Sequence, residues 1–345
     1  MGGDHAPDEI IAGVLEALPQ IDKDDAIILV GPKDLLEQKL AAATYDKERL
    51  SIVDAPDVIG MDEKPVDSLR KKPRSSISVM AKLAKTGDAQ AVISAGNTGA
   101  CVAAFQMRMR TLPGVNRPGI AVVFPSPSGP VTICDVGANI ACKPLNLYQY
   151  GLMASIYSRN FLGIQNPRIG LMSIGEEDAK GNEVVKKAAD MLRSDPRLTF
   201  IGNIEGRDIF RGVCDVVVCE GFVGNVVLKL TEGAVDSLFR AIKQELMQEQ
   251  PQLALMFKPV IMRVYQKHDY NEYGGAPLLG IDGTALICHG ASKARTIRNA
   301  VRTAKTCHTQ KINERIMESL AEAGVRTTDA ERSEERRVGK ECRSR

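Results

Sequence analysis

The stretch at 89–110, AQAVISAGNTGACVAAFQMRMR, decides the fold. Its first six residues, 89–94, are short, apolar and partly β-branched, as in a strand buried on both faces. They run through Gly96-Asn97-Thr98-Gly99 straight into a helical pattern at 99–110. A strand, a glycine-rich turn and a helix in immediate succession make half of a βαβ unit. Outward from it the same alternation recurs, with strands predicted at 26–30, 50–53, 119–124, 131–136, 168–174, 198–201 and 215–219. Helical patterns separate them at 7–18, 32–43, 75–85, 144–160 and 183–193. Near-continuous apolar strands alternating with helices indicate a parallel sheet covered on both faces, so the expected class is α/β, doubly wound and mostly parallel.

Beyond this region a long helix is predicted from 225 to about 248, stopped by Pro251. The next segment, QLALMFKPVIMRVYQK at 252–267, is rich in large apolar residues and punctuated by Lys258, Arg263 and Lys267, with a kink expected at Pro259. A last helix is predicted from about 292 to 323. No internal repeat stands out. Residues 1–330 read as one large domain that includes an amphipathic helical segment at about 246–272. The end, ERSEERRVGKECRSR at 331–345, has one aliphatic side chain, Val338, and reads as a disordered, non-native tail.

Composition narrows the function. The 345 residues are 44% hydrophobic and 26% charged with a net charge of +2, ordinary for a soluble domain and unlike a nucleic-acid binder. Aromatics make up 4% with no Trp, which disfavours base-stacking platforms as well. The eight cysteines contain no C-x-x-C pair and only four histidines accompany them, so buried reduced thiols are expected and neither a metal nor a cofactor. The N-terminus carries no secretion signal, and no uncharged apolar run reaches the roughly 20 residues of a membrane span. A cytoplasmic protein, at most peripheral on the inner face of the cell membrane, is expected.

In a doubly wound sheet, ligands bind outside the carboxyl ends of the strands. Here those ends carry SAGNTGA (Asn97, Thr98, Gly99), DVGANIACKP (Asp135, Asn139, Lys143), GEEDAKGNE (Lys180, Asn182) and EGFVGN (Glu220, Asn225). The opening MGGDHAP adds Asp4 and His5 before a helix start at Pro7. Each is also the composition of a plain turn. Together they place glycine beside a neutral amide or a cation at strand end after strand end, which suits an oxyanion or phosphate and is expected to gather at one rim of the sheet. The sequence has no G-x-G-x-x-G after a strand, Walker A loop, H-E-x-x-H or G-x-S-x-G. His5 suits either phosphate orientation or proton transfer, or no function at all. His289, in LICHGAS, suits a capping or packing role as well as a substrate contact, and His268 and His308 read as surface positions.

MGGDHAP, RKKPRSS at 70–76, SAGNTGA, DVGAN, GEEDAKGNE, EGFVGN, YGGAPLLG and HGAS occur in that order. The whole resembles the phosphate acyltransferases of bacterial phospholipid synthesis, the PlsX family, over about residues 1–323. Two features depart from the family's pattern. Members carry a short strand ending in Asp-Ala ahead of MGGDHAP, expected inside the sheet, where this sequence opens at the motif's own Met1. The charged stretch after Ala330 is foreign to the family.

The resemblance implies formation of acyl phosphate from acyl-[acyl carrier protein] and inorganic phosphate, by a homodimer with an isopropylmalate dehydrogenase/phosphotransacetylase-like fold. On that reading Lys180 and Asn225 face the reacting centre, one neutralising charge and the other donating a hydrogen bond to the oxyanion. Asn97, Thr98 and Gly99 cradle phosphate at a helix start. His5, Asn139 and Lys143 stand behind them, with Asp4, Asp135, Glu220 and His289 as further substrate contacts. The apolar and basic segment 253–267 is expected at a membrane surface or in a dimer interface. Three rivals remain: a phosphotransacetylase-type enzyme using acyl-coenzyme A, a nicotinamide-dependent decarboxylating dehydrogenase, and an inactive membrane-attached scaffold.

Overall fold

The computed structural model describes residues 1–249, 251–267 and 270–324. The tail at 331–345 therefore lies outside the described residues. In chain order the elements are α1 (Asp8–Ala17), β1 (Ile27–Gly31), α2 (Lys33–Leu40), β2 (Leu50–Asp54), α3 (Pro65–Lys71), α4 (Ser76–Thr86), β3 (Ala91–Ser94), α5 (Thr98–Arg108), β4 (Gly119–Ser126) and β5 (Gly129–Cys134). Then come α6 (Pro144–Phe161), β6 (Arg168–Met172), α7 (Glu183–Ser194), β7 (Thr199–Ile204), β8 (Val216–Val218), α8 (Gly221–Glu249), α9 (Pro251–Lys267), β9 (Ala276–Leu279), β10 (Thr284–Ile287), α10 (Ala294–Thr309) and α11 (Ile312–Glu322).

An 8-stranded sheet runs in the order β3-β10-β9-β4-β5-β8-β6-β7, and β1 pairs with β2 in a separate parallel pair. Helices cover both faces, as a doubly wound sheet requires. On one face α6 is buried along most of its length, with Tyr150, Leu152, Met153 and Tyr157 in a cluster that reaches β5, β8, α7 and α11. A Cβ on Gly151 would lie 2.8 Å from Leu192 Cδ2, so glycine lets α7 approach α6. On the other face Ile77, Phe105, Ile133 and Val217 join α4 and α5 to the sheet.

The sheet is parallel except in its middle, where β10-β9, β9-β4 and β4-β5 pair antiparallel. The pattern of apolar runs did not reveal this reversal. β4 and β5 form a hairpin across Ser126-Pro127-Ser128-Gly129, with Ser126 Oγ donating to Gly129 O at 2.7 Å. β9 and β10 were not predicted at all: each is four residues long, and Pro277 sits inside β9, which argues against a strand on sequence grounds. α3 was missed as well. The predicted 292–323 helix is two helices, separated at Lys311 in the left-handed region (φ 53°), with no Gly or Pro to mark the break. α9 continues through Pro259.

The reversal sets where ligand turns meet. One row of paired residues crosses the sheet: Ile93, Leu286 and Pro277, then Ala121 by continuing the β4–β9 register one residue, then Cys134, Val218, Leu171 and Asn203. β3 and β10 reach this row from one side; β5, β8, β6 and β7 reach it from the other. All of them end on the row or one residue past it. The expectation of a single rim is thereby corrected: two opposed sets of turns converge on a shared line, a topological switch point in mid-sheet.

Candidate functional site

The turn after β5 is organised around Asp135, which is fully buried. Its Oδ1 accepts from the backbone N–H groups of Ile120, Gly137 and Ala138, and its Oδ2 from that of Asn139 at 2.7 Å. Burial pushes this carboxyl up from the usual range, while the four N–H donors pull the other way. The Cys134–Asp135 peptide bond is cis. Asn139 is buried too: Nδ2 donates to Pro118 O (2.6 Å) and Tyr150 Oη (2.8 Å), and its carbonyl accepts from Gly221 N (2.8 Å). The Asp135 carboxylate and the Asn139 amide nitrogen, expected as substrate contacts, are thus engaged within the protein, in the framework beneath the first turn of α8.

That framework explains both glycines of EGFVGN. A Cβ on Gly221 would fall 2.7 Å from Asn139 O and 2.8 Å from Asp135 Oδ2, and one on Gly224 would collide with Asp135 O. Only glycine lets the helix start seat this closely. Glu220 spends its carboxylate on the same turn, accepting from Phe222 N (2.7 Å) and Val223 N (3.1 Å). In this structure it acts as an N-terminal cap. Asn225, the next residue out, is exposed.

The opposite set of turns is built alike. Asn97 caps α5 by accepting from Ala100 N (2.9 Å), and its Nδ2 reaches Gly60 O, Met61 O and Glu63 O at 3.0–3.2 Å. Both ends of this buried amide are occupied by protein, so the expected phosphate contact through Asn97 is corrected to a clamp on the 60–63 loop. A Cβ on Gly99 would lie 2.7 Å from Pro65 Cγ, which accounts for glycine there by packing. Thr98 remains partly exposed between them. After β10, His289 is exposed and its Nδ1 accepts from Ala291 N (3.2 Å). The MGGDHAP turn lies against the same edge, with Asp4 N donating to Gly290 O at 2.9 Å and the Asp4 and His5 side chains exposed.

One cavity of about 130 Å³ draws on both sets: Thr98 from the β3 turn, His289 and Ser292 from the β10 turn, and Asn225 from α8. Ile120, Val136 and Leu228 supply apolar wall. A larger cavity, about 620 Å³, lies between β1 and β3 under α1 and α10, and none of the expected site residues lines it. Lys180 lies outside the small cavity, exposed, with its Cγ 3.0 Å from where a Gly175 Cβ would stand. It follows β6, the parallel neighbour of β8, so Lys180 and Asn225 leave the sheet from adjacent strands in the same direction. Lys143, at the start of α6, is exposed and outside the cavity.

Cys288 also lines the cavity, and burial pushes its thiol up to about 12. A thiol held protonated is a poor nucleophile. Ser292 and Leu228 were not singled out from sequence. The signal for Ser292 was its place three residues after His289 in a glycine turn; Leu228 reads like any helix-face leucine.

The family model described as "Fatty acid synthesis protein" matches residues 1–315. The chain is 50% identical to a phosphate acyltransferase of Heliobacterium modesticaldum, over 88% of this chain and 91% of that protein. It is 44% identical to a phosphate acyltransferase of Nitratidesulfovibrio vulgaris, over 93% of each. Among solved structures, a branched-chain phosphotransacylase from Enterococcus faecalis superposes with a TM-score of 0.54 at 14% identity, covering 89% of this chain and 96% of that one. This last likeness speaks to the fold alone.

Proposed function

The chain belongs to the fatty acid synthesis protein family, whose relatives here are phosphate acyltransferases, and on that premise we propose that it moves the acyl group of acyl-[acyl carrier protein] onto inorganic phosphate. The observation that carries the proposal is the cavity on the switch-point row, where opposed strand turns bring Thr98, Asn225 and His289 to one place. A phosphate oxygen attacks the thioester carbonyl carbon, and the carbonyl electron pair moves onto oxygen. The tetrahedral oxyanion then collapses, the C–S bond breaks, and the carrier leaves as thiolate, which takes a proton from solvent. The work for the enzyme is to position one anion and stabilise another with preorganised donors. Asn225 donates to the oxyanion, and Thr98 holds the incoming phosphate. Lys180, on the neighbouring turn, neutralises phosphate charge as it enters. His5, Asp4 and Lys143 form the polar approach. With Cys288 protonated, direct transfer without an acyl-enzyme accounts for the chemistry.

Acyl phosphate formation with matched acyl-[acyl carrier protein] and acyl-coenzyme A donors tests the donor. The expected result is a kcat/KM at least 10-fold higher with the carrier protein, as binding energy from the remote carrier is realised. Equal or better use of coenzyme A would make this a phosphotransacetylase-type enzyme.

The same reading calls for access to lipid. Among the described residues no helix is long and apolar enough to cross a membrane. Yet α9 exposes Met256, Phe257, Val260 and Met262 beside Lys258 and Arg263, and α8, which packs against it, exposes Leu230 and Leu238. Apolar and basic side chains interleaved on an exposed helix suit an anionic bilayer surface. The protein is expected to float with vesicles containing anionic lipid, and Met256→Asp with Phe257→Asp to remain in the pellet. Failure of the unaltered protein to float would assign the face to a homodimer contact.

A further inference from the structure

Asn225 is not alone on its side of α8. Lys229 and Glu232 line the same small cavity as Asn225, Thr98 and His289. Residues three and four apart on a helix share a face, with Cβ atoms about 5–6 Å apart. Asn225, Lys229 and Glu232 follow that spacing inside α8, so they form one stripe along it. Lys229 Nζ donates to Glu232 Oε2 at 2.9 Å. Such a pair on a helix is most often a solvated brace. This one instead borders a cavity whose wall is otherwise largely apolar, through Ile120, Val136 and Leu228.

Both partners can be reached, the side chains of Lys229 and Glu232 being 45% and 20% exposed. Among the described residues that line the cavity, Lys229 is the one lysine or arginine and Glu232 the one carboxylate. An orthophosphate entering here gives up hydration and needs a cation in its place. A partly exposed pair of neighbouring turns contributes little to stability, so its ammonium is exchangeable. Phosphate carries more charge and more acceptor oxygens than one carboxylate and competes for that ammonium. The volume of about 130 Å³ corresponds to about four waters, room for one tetrahedral oxyanion. Resting on the acyl-transfer reading above, we infer that Lys229 is a phosphate-binding residue of this site and that Glu232 is an internal competitor that sets how tightly phosphate is held. Lys229 leaves Glu232 for the incoming anion, and the carboxylate then opposes that anion as a like charge. Asn225 lies one turn along the same stripe, so a single helix face serves the attacking phosphate and the developing oxyanion.

Phosphate kinetics on the full chain test both halves. Lys229→Ala is expected to raise the KM for phosphate about 10-fold or more, the scale of a hydrogen bond to a charged group. The KM for the acyl donor should stay within about twofold, and Lys229→Arg, which keeps a cation suited to phosphate, should recover most of the loss. Glu232→Gln is expected to act in the opposite direction, lowering the phosphate KM about threefold by freeing the ammonium and removing a like charge. A mere brace on the helix predicts something else: both variants would lower the melting temperature together and move the phosphate KM in the same direction or not at all. That outcome overturns the assignment. So does a change confined to the donor KM, which would put the cation on the acyl donor. Binding is read without turnover by calorimetric titration of inorganic phosphate into the protein. Glu232→Gln should bind most tightly, the unaltered protein next and Lys229→Ala most weakly. That order, with no acyl phosphate formed from any thioester, sinks the acyl-transfer reading and leaves the phosphate site standing. Acyl phosphate formation whose phosphate KM is unmoved by Lys229→Ala sinks the phosphate site alone.

Discussion

Asn225→Ala is expected to lower kcat for acyl phosphate formation by about 10²-fold, the scale for removing one oxyanion donor. The loss should fall on kcat and kcat/KM alike, since the bond is made to charge that develops only in the transition state. Asn225 is exposed just past the first turn of α8, and the helix start is held by Glu220, Gly221 and Gly224 rather than by this amide. The variant should therefore unfold at the temperature of the unaltered protein, which separates chemistry from folding. Lys180→Ala is expected to cost a similar factor, about 10²-fold, through phosphate charge. Its side chain is exposed too, so its melting temperature is likewise expected to hold. Near-normal turnover in both variants would remove the proposed oxyanion and phosphate contacts together.

How the two turns came to be legible, and others not, follows from what sequence encodes. Strand-turn-helix units were visible because a buried parallel strand has a compact apolar signature, so β1, β2, β3, β4 and β6 all start within two residues of the expected places. The middle of the sheet was opaque because strand direction is not a property of a strand's own residues. β9 and β10, short and with Pro277 inside, are held by β4 and β3 on either side rather than by their own propensity. The site divides similarly. Glycine, asparagine and aspartate at strand ends marked the right turns, yet composition could not separate groups that build a turn from groups that face out of it. Asp135, Asn97 and Glu220 spend their side-chain polar atoms on backbone, and Asn139 its amide nitrogen on Pro118 O and Tyr150 Oη, while Thr98, Asn225 and His289 reach a shared cavity. That distinction lies in hydrogen-bond partners, which only the folded chain supplies.

Asp135→Ala should produce the largest loss of stability of any single change at the site, roughly 3–5 kcal/mol, because it removes one carboxylate and orphans a set of buried donors. The backbone N–H groups of Ile120, Gly137, Ala138 and Asn139 converge on its two oxygens within 2.7–3.1 Å. Gly221 and Gly224 pack directly against Asp135, which leaves the turn little room to admit water in place of the carboxylate. Asp135→Asn is a milder test with the same shape: one oxygen becomes an amine that must face an N–H, so it should fall between the two. Urea unfolding followed by circular dichroism measures both, as a lower midpoint at constant slope. Activity should fall further than stability alone predicts, because Asn139 O and the Asp135 carbonyl seat the first turn of α8, and with it Asn225. If Asp135→Ala unfolds at the ordinary midpoint, the turn does not depend on its carboxylate.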